Sequence, residues 1–312
     1  MKHYLYILLC FTFLLSGCNQ ESIGSKNGSK KVIASLFPQY DFARQIAKDK
    51  VEVQLLLPPG VEPHSYEPTP RDIVEITRSA IFVYTGDHME PWAEKIIRQS
   101  KGKSLLILDA SKGIELMSPK EHEHNHDCSS CSHDSKDPHI WLDPVLAQKM
   151  VENILQGFVH VFPQHKDSFE ENARAYKSQL ENLHQKNLKT FLKAKRKKIL
   201  YGGHFAFGYF AQRYGLEHIS PYQGFSPNAE PTPGRILDLL KAMKDSQTDT
   251  IYYEELLDPK IARVLAEQTG CQILPLHAAH NVSRKDRQAG ITYIQIMEEN
   301  LKRLKEGLGY DE

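Results

Sequence analysis

A glycine-free stretch with helical periodicity, residues 164–193, divides this chain into two parts. Its apolar residues recur every three or four positions and are Phe169, Ala173, Tyr176, Leu180, Leu183, Leu188 and Phe191. A helix over this stretch would be ~45 Å long, about the height of two stacked domains. It therefore predicts a stiff connection between two lobes. The simpler alternative is a long helix that packs on one domain only.

Short apolar segments alternate with helical segments on both sides of this stretch. The predicted strands are 32–37, 51–57, 81–84 and 104–108 before it, and 199–201, 250–253 and 272–276 after it. Repeated strand–helix units predict an α/β fold with two lobes, each with a mainly parallel sheet flanked by helices, joined by one long rigid helix. The predicted boundaries are 31–163 for the N-terminal lobe, 164–195 for the linking helix and 196–312 for the C-terminal lobe.

The N-terminus has the pattern of an export signal. Lys2 precedes an apolar run, residues 4–15, that is shorter than the roughly 20 residues of a membrane-spanning helix. The run ends in Leu-Ser-Gly-Cys, which resembles the bacterial lipobox, so residues 1–17 are predicted to be a signal peptide and Cys18 a lipidated residue. The alternative is an ordinary signal peptide with an incidental cysteine. Residues 18–30 are then a flexible tether, and we expect the protein outside the cytoplasmic membrane.

Charge excludes one class of partner. Lys and Arg total 39, as do Asp and Glu, so the formal net charge of the 312 residues is zero. A balance of this kind argues against a nucleic-acid scaffold. No nucleic-acid partner is expected.

Three histidines lie in runs of small, rigid or aromatic residues. His64 stands in Glu-Pro-His-Ser-Tyr-Glu-Pro, His139 in Asp-Pro-His-Ile-Trp-Leu-Asp-Pro and His204 in Tyr-Gly-Gly-His-Phe-Ala-Phe-Gly. Neutral imidazole is a common zinc ligand, and neighbouring prolines or glycines fix the backbone so that separate segments can aim nitrogens at one point. His277 follows the last predicted strand and is the fourth candidate. Ligands of such sheets bind beyond the carboxyl ends of the strands, which predicts a divided metal site in the cleft between the lobes.

The nitrogen donors of these histidines indicate which metal the site binds, and missing motifs argue against catalysis. Nitrogen ligands favour zinc over manganese or magnesium, which suit oxygen donors. The sequence has no His-Glu-x-x-His motif and no glycine-flanked nucleophilic serine, which lowers the expectation of a hydrolase. Several acids close to the histidine segments are candidates to orient the rings, the alternative being ordinary surface carboxylates. They are Glu62, Asp137, Asp143, and Glu254 or Glu255.

A histidine-rich segment, within residues 119–136, follows the fourth predicted strand and is expected to be a surface loop. It offers a possible auxiliary metal site whose candidate ligands are His122, His124, His126, Cys128, Cys131 and His133. The two cysteines could be thiolate ligands or form a local disulfide, and the sequence leaves both open.

The runs around the three histidines resemble the signature segments of zinc-binding solute receptors of ABC importers, the ZnuA/AdcA type of a cluster that also includes TroA. The resemblance extends from Val32 to the C-terminal helix. It implies two α/β lobes joined by a rigid helix, and His64, His139 and His204 as ligands of the transported Zn²⁺. It also implies an ABC permease and its ATPase subunit as partners.

The fourth ligand is where this sequence departs from the resemblance. Such receptors commonly supply Asp or Glu after the last strand, or leave the place to water, whereas His277 stands here, with His280 and then Asp286 as alternatives. We expect a lipid-anchored, monomeric zinc receptor that catalyses no reaction. The competing hypotheses are a secreted zinc hydrolase, with Glu62 or Glu255 as base, and an adhesin whose metal is structural.

Overall fold

The computed structural model describes residues 31–100, 102, 104–118, 136–222, 231–245, 248–256 and 258–310. The predicted signal peptide, Cys18 and the tether lie outside the described residues, as do all six candidate ligands of the auxiliary loop. Within the described ranges, no helix has the length and hydrophobicity required to cross a bilayer.

The N-terminal lobe is built on one parallel sheet in the order β2-β1-β3-β4. The strands are β1 (Val32–Ala34), β2 (Val53–Leu55), β3 (Ile81–Tyr84) and β4 (Leu106–Asp109), and the helices between them are α1 (Phe37–Ala47), α2 (Pro70–Arg78) and α3 (Ala93–Gln99). Successive residues of β1 pack on opposite faces, Val32 and Ala34 into the larger core and Ile33 into a second apolar cluster. Both faces of the strand are buried, because helices cover a parallel sheet on both sides.

Two helices follow this sheet and lead out of the lobe. α4 (Pro144–Val161) begins where the Asp143 side chain accepts a hydrogen bond from Val145 N at 2.8 Å. After a 3-10 turn at Pro163–His165, α5 (Lys166–Lys193) runs for 28 residues. α5 packs on α1 and α4, which precede it in the chain. It also packs on two helices that follow it, α6 (Gly208–Tyr214) and α10 (Tyr293–Leu308). The long helix predicted from sequence is therefore confirmed, and it contacts both lobes.

The C-terminal lobe has two parallel strand pairs. β5 (Lys198–Leu200) pairs with β6 (Glu217–Ile219), and β7 (Thr250–Tyr253) pairs with β8 (Gln272–Pro275). A parallel bridge between Tyr201 and Tyr252 joins the two pairs. The remaining helices are α7 (Pro233–Asp245), α8 (Lys260–Thr269) and α9 (Arg284–Gln288). The two-lobed α/β fold is confirmed, while β6 and α9 were not predicted; the exact lobe boundaries remain predictions.

Polar contacts connect the lobes. Asp41 of α1 is fully buried, and its carboxylate accepts hydrogen bonds from Tyr176 Oη of α5 at 3.2 Å and from the Tyr293 backbone N–H at 3.0 Å. Tyr293 is the first residue of α10, so a side chain of the first helix satisfies the open N-terminus of the last. Arg213 of α6 binds the Asp143 carboxylate through both Nε, at 2.8 Å, and Nη2, at 2.6 Å. These contacts hold helices of the two lobes against each other.

Candidate metal centre

Four imidazole rings meet between the lobes. His64 follows β2, His139 begins the 3-10 turn Ile140–Leu142, His204 follows β5 and His280 follows β8. The six distances between their ring centroids are 4.9–6.3 Å. The three histidines chosen from their sequence motifs therefore come together, and a fourth ring joins them from the segment after the last strand. Three of the four follow the carboxyl end of a parallel strand, as expected for an α/β ligand site.

Two of the donor atoms already have the spacing of ligands on a tetrahedral zinc ion. His64 Nε2 and His139 Nε2 are 3.3 Å apart. Potential ligand atoms of His64, His139 and His280 all lie within 4.8 Å of one another. A zinc–nitrogen distance of about 2.0–2.1 Å in a tetrahedron separates two ligand nitrogens by about 3.3–3.4 Å. The His64–His139 pair already has that separation.

Burial keeps these imidazoles in the form that binds metal. His139, His204 and His280 are buried, and His64 is half-buried. Burial, with a further contribution from the neighbouring His280 and His204 rings, lowers the pKa of His64 to about 2. The same causes hold the pKa of His139 well below its usual range. Because only the neutral ring has a free lone pair, both residues are ready to bind a cation at neutral pH.

Asp137 orients the His139 ring. Its Oδ1 lies 2.7 Å from His139 Nδ1 and accepts the His139 backbone N–H at 3.0 Å. A carboxylate at Nδ1 favours the ring hydrogen there and leaves the Nε2 lone pair facing the other rings. Burial raises the pKa of Asp137 to about 7. Tyr209 Oη donates to the Asp137 backbone carbonyl at 2.7 Å and so anchors the segment.

Glu254 and Glu255 lie beside the His204 and His280 rings of the C-terminal lobe. Glu254 Oε1 lies 3.7 Å from His204 Nδ1, and Glu255 Oε1 lies 3.7 Å from His280 Nδ1. Burial, with Glu255 adding to it, raises the pKa of Glu254 to about 8. Burial alone would also raise the pKa of Glu255, but the adjacent His277 and His280 rings lower it to about 2. At neutral pH the negative charge of this pair therefore resides on Glu255, beside His280.

His277 lies apart from the four-ring cluster. Its Nδ1 accepts a hydrogen bond from Ala279 N at 2.9 Å and lies 3.3 Å from Glu255 Oε1. Its backbone is held by Asn300, whose amide accepts from His277 N at 2.8 Å and donates to His277 O at 2.7 Å. His280, by contrast, is 3 % exposed, and its Nε2 has no hydrogen-bond partner among the described residues. The geometry therefore favours His280, the first alternative named from sequence, over His277 as the proposed fourth ligand.

The other acids considered from sequence shape the backbone. Glu62 accepts hydrogen bonds from His64 N at 2.9 Å and Ser65 N at 2.8 Å, and so folds the turn that carries His64. Asp143 caps α4 and pairs with Arg213. Asp286, the most distant alternative for the fourth ligand, accepts a hydrogen bond from Ser283 Oγ at 2.5 Å at the start of α9. None of these three belongs to the grouped metal-ligand candidates of the described residues.

Two residues that the sequence analysis did not single out support the site. The Trp141 indole N–H donates to Ala278 O at 2.8 Å, and its ring lies 5.4 Å from the rings of both His139 and His280. Gly208 leaves room for Asp137, because a Cβ at this position would lie 2.7 Å from Asp137 Oδ2. The signal for Trp141 was its place two residues after His139 in the second motif.

Sequence comparison gives a family match over nearly the whole chain. Residues 32–307 match the family model of the zinc-uptake complex component A, periplasmic. The high-affinity zinc uptake system protein ZnuA of Bacillus subtilis is 36% identical over 310 residues, which are 97% of this chain and 97% of that protein. The zinc-binding lipoprotein AdcA of Streptococcus pneumoniae is 34% identical over 96% of this chain, which corresponds to 59% of the length of AdcA.

Solved structures are similar in fold. The metal-dependent lipoprotein YcdH of Bacillus subtilis superposes with a TM-score of 0.76 at 37% identity, over 89% of this chain and 98% of that one. The Zn(II)-bound ZnuA-like domain of Streptococcus pneumoniae AdcA gives 0.76 at 32% identity, over 90% and 99%. The laminin-binding protein Lmb of Streptococcus agalactiae, described as bifunctional with adhesin and metal-transporting activity, gives 0.79 at 29% identity, over 90% and 99%.

Proposed function

Because the chain belongs to the ZnuA family of zinc-uptake components, we propose that it captures Zn²⁺ with the imidazoles of His64, His139, His204 and His280. The protein is an extracytoplasmic zinc-binding receptor of an uptake system, and the family is one of receptors, not of enzymes. The hydrolase hypothesis is therefore set aside. The observation that supports the ligand set is the 3.3 Å separation of His64 Nε2 and His139 Nε2 within a cluster of four rings.

An all-nitrogen ligand set explains selectivity. Neutral imidazoles suit zinc and disfavour manganese and magnesium, which are bound better by carboxylate and carbonyl oxygens. The carboxylates near the site lie behind the rings, at the Nδ1 atoms of His139, His204 and His280. Asp137 orients its ring through the 2.7 Å contact, whereas Glu254 and Glu255 lie 3.7 Å from their rings and contribute nearby carboxyl groups. Four protein ligands would close the tetrahedron and leave no position for the water that a catalytic zinc site keeps.

Isothermal titration of the metal-free protein tests this proposal. We expect one tightly bound zinc, much weaker binding of Mn²⁺, and a loss of more than about 100-fold in zinc affinity for His139→Ala, beyond the range of changes that only orient a ligand. Deletion of residues 121–133 removes the histidine-rich loop and should cost far less. Equal losses from the two changes would contradict the proposed site.

Delivery requires membrane partners. Receptors of this family work with ABC importers, which supply a permease and an ATPase subunit. We infer that this protein reaches them as a monomer held to the membrane by a lipid on Cys18, as the Leu-Ser-Gly-Cys motif indicates. Cys18→Ser should abolish labelling by a radioactive fatty acid and release the protein into the medium or periplasm. Continued labelling would place the lipid elsewhere.

Two roles beyond the main site stay predictions. The histidine-rich loop offers His122, His124, His126, Cys128, Cys131 and His133 as an auxiliary zinc-collecting site. Zinc stoichiometry with and without residues 121–133 tests it. Adhesin activity is named for the similar protein Lmb, and binding of metal-free protein to immobilised laminin tests it for this chain.

A further inference from the structure

The segment that carries His280 belongs to the C-terminal lobe by sequence but is held by the N-terminal lobe. The backbone N–H of Phe37, at the start of α1, donates to His280 O at 3.2 Å. Two residues later, Val282 O accepts the backbone N–H of Gly60 at 3.1 Å. The stretch from His280 to Val282 is therefore held at both ends by main-chain contacts from the opposite lobe.

Asn281 is the side chain at the centre of this connection. It is fully buried, and its amide donates one hydrogen bond to Pro58 O at 2.7 Å and another to Val61 O at 2.9 Å. Its Oδ1 accepts from Val282 N at 2.8 Å, so every polar atom of the amide is used. Residues 58–61 lead directly into the turn that presents His64. One amide thus joins the segments that carry two of the imidazoles.

The His280 segment requires such a restraint. Ala279 has a φ of +57°, in the left-handed region, which is unfavourable for a residue with a Cβ. A backbone held in this region persists only when its surroundings over-determine it. The left-handed turn at Ala279 separates His277 from His280 and gives the two rings different directions, one toward Ala279 N and one toward the cluster.

From these contacts we infer that Asn281 is a positioning residue for zinc binding: its amide fixes His280 to the loop before His64 and so presets three imidazoles on the N-terminal lobe. The three are His64, His139 and His280, the group whose ligand atoms lie within 4.8 Å of one another. His204 then approaches this preset group from the C-terminal lobe. The inference rests on the proposed zinc site and assigns a role to a residue that touches no metal.

Asn153 provides a matched control. Its side-chain amide also donates to two backbone carbonyls, Ala110 O at 2.9 Å and Lys112 O at 2.9 Å, but it lies on α4 outside the ring cluster. Asn281→Ala and Asn153→Ala each leave two carbonyls without this donor. A general loss of loop order should affect both variants alike, whereas the positioning role affects zinc binding only in the first.

The test is a double-mutant cycle of zinc affinity on the full chain. Asn281→Ala should lower affinity about 10–100-fold, the range for residues that orient a metal ligand, with Asn153→Ala within about twofold of wild type. In a His280→Ala background the Asn281 change should cost little more, because the ligand it positions is gone. The absorption spectrum of the Co²⁺-loaded Asn281→Ala protein should shift toward that of Co²⁺-loaded His280→Ala.

Other outcomes overturn the inference. An affinity of Asn281→Ala within twofold of wild type contradicts it, and so does a loss that is undiminished in the His280→Ala background. His139→Ala is measured alongside: if it binds zinc normally, the proposed site itself is misplaced, whereas a normal Asn281→Ala with a defective His139→Ala rejects only the positioning role. Should Asn281→Ala fail to fold, judged by circular dichroism, the smaller change Asn281→Ser replaces it in the same cycle.

Discussion

His64 Nε2 and His139 Nε2 lie 3.3 Å apart although the residues are 75 positions apart in the chain. In the metal-free protein a single hydrogen on His64 can bridge these two nitrogens. A bound dication takes both lone pairs and moves that hydrogen to Nδ1 of His64. The pair is therefore a preset half of a tetrahedral site.

The choice between His280 and His277 can be measured directly. His280→Ala removes a nitrogen that faces the cluster, so zinc affinity should fall more than about 100-fold. His277→Ala removes a ring that bonds Ala279 N and lies near Glu255, and the loss should be about tenfold or less. Competition with a chromogenic zinc chelator gives both values. A larger loss for His277→Ala would restore the sequence-based choice.

The Asp137 carboxylate should affect zinc affinity by orienting the His139 ring. Asp137→Ala removes the acceptor for Nδ1 and frees the ring to rotate, so we expect a loss of about 10–100-fold in zinc affinity. Asp109 is the control, because its carboxylate likewise accepts a backbone N–H two residues later, that of Ser111 at 2.8 Å. Asp109→Ala should bind zinc normally. Similar losses in both variants would indicate a general effect on folding.

Gly208 should be intolerant of a methyl group. In Gly208→Ala the new Cβ would lie 2.7 Å from Asp137 Oδ2, so the carboxylate must shift away from its place beside His139. We expect a loss of about tenfold in zinc affinity, at the lower end of the range for ligand-orienting changes. Gly234→Ala is the matched change near the start of another helix, where the nearest atom is 4.0 Å away. Titration calorimetry of the two variants should separate them; equal affinities would show that Asp137 moves without consequence.

Glu90 should make stability depend on pH. This carboxyl group is fully buried, accepts a hydrogen bond from Thr85 N at 3.0 Å and contacts Ser35 Oγ. Burial raises its pKa from 4.5 to about 8, so the folded state keeps a proton that the unfolded state releases. The protonated Glu90 carboxyl group therefore stabilises the folded state fully below about pH 4.5, and this stabilisation is lost as pH rises toward about 8.

Glu90→Gln tests that dependence, since a neutral amide can make the same two contacts at every pH. Between pH 5 and pH 8 the wild type should lose more free energy of unfolding than the variant, measured by urea denaturation of metal-free protein. Parallel pH profiles would mean that Glu90 is ionised in the folded protein.

Local sequence rules predicted most of the architecture. Runs such as 81–84 are apolar throughout, as a strand buried on both faces must be, and the glycine-free heptad-like pattern of 164–193 marked the long helix. β6 was missed because Glu217 and His218 are polar and exposed, which leaves Ile219 as its single apolar residue. Its pairing with β5 depends on a non-local partner that no local pattern encodes.

The candidate ligands that have rigid flanking residues could be predicted from the sequence. His64, His139 and His204 each stand beside proline or glycine, and the structure brings their rings together. The choice between His277 and His280 could not be predicted from flanking residues. It depends on the left-handed turn at Ala279 and on contacts from Phe37 and Gly60, which come from the other lobe.

The contact between Asp41 and the Tyr293 backbone N–H governs the order in which the molecule can mature. The first lobe contains a buried carboxylate whose amide partner lies 252 positions later in the chain. In a polypeptide emerging from an export channel with its N-terminus first, that carboxylate can meet Arg44 and Tyr176 early but lacks its third partner until the last helix arrives. Final packing of the first-made half therefore waits for the last-made helix, and truncation before that helix would leave the whole receptor immature.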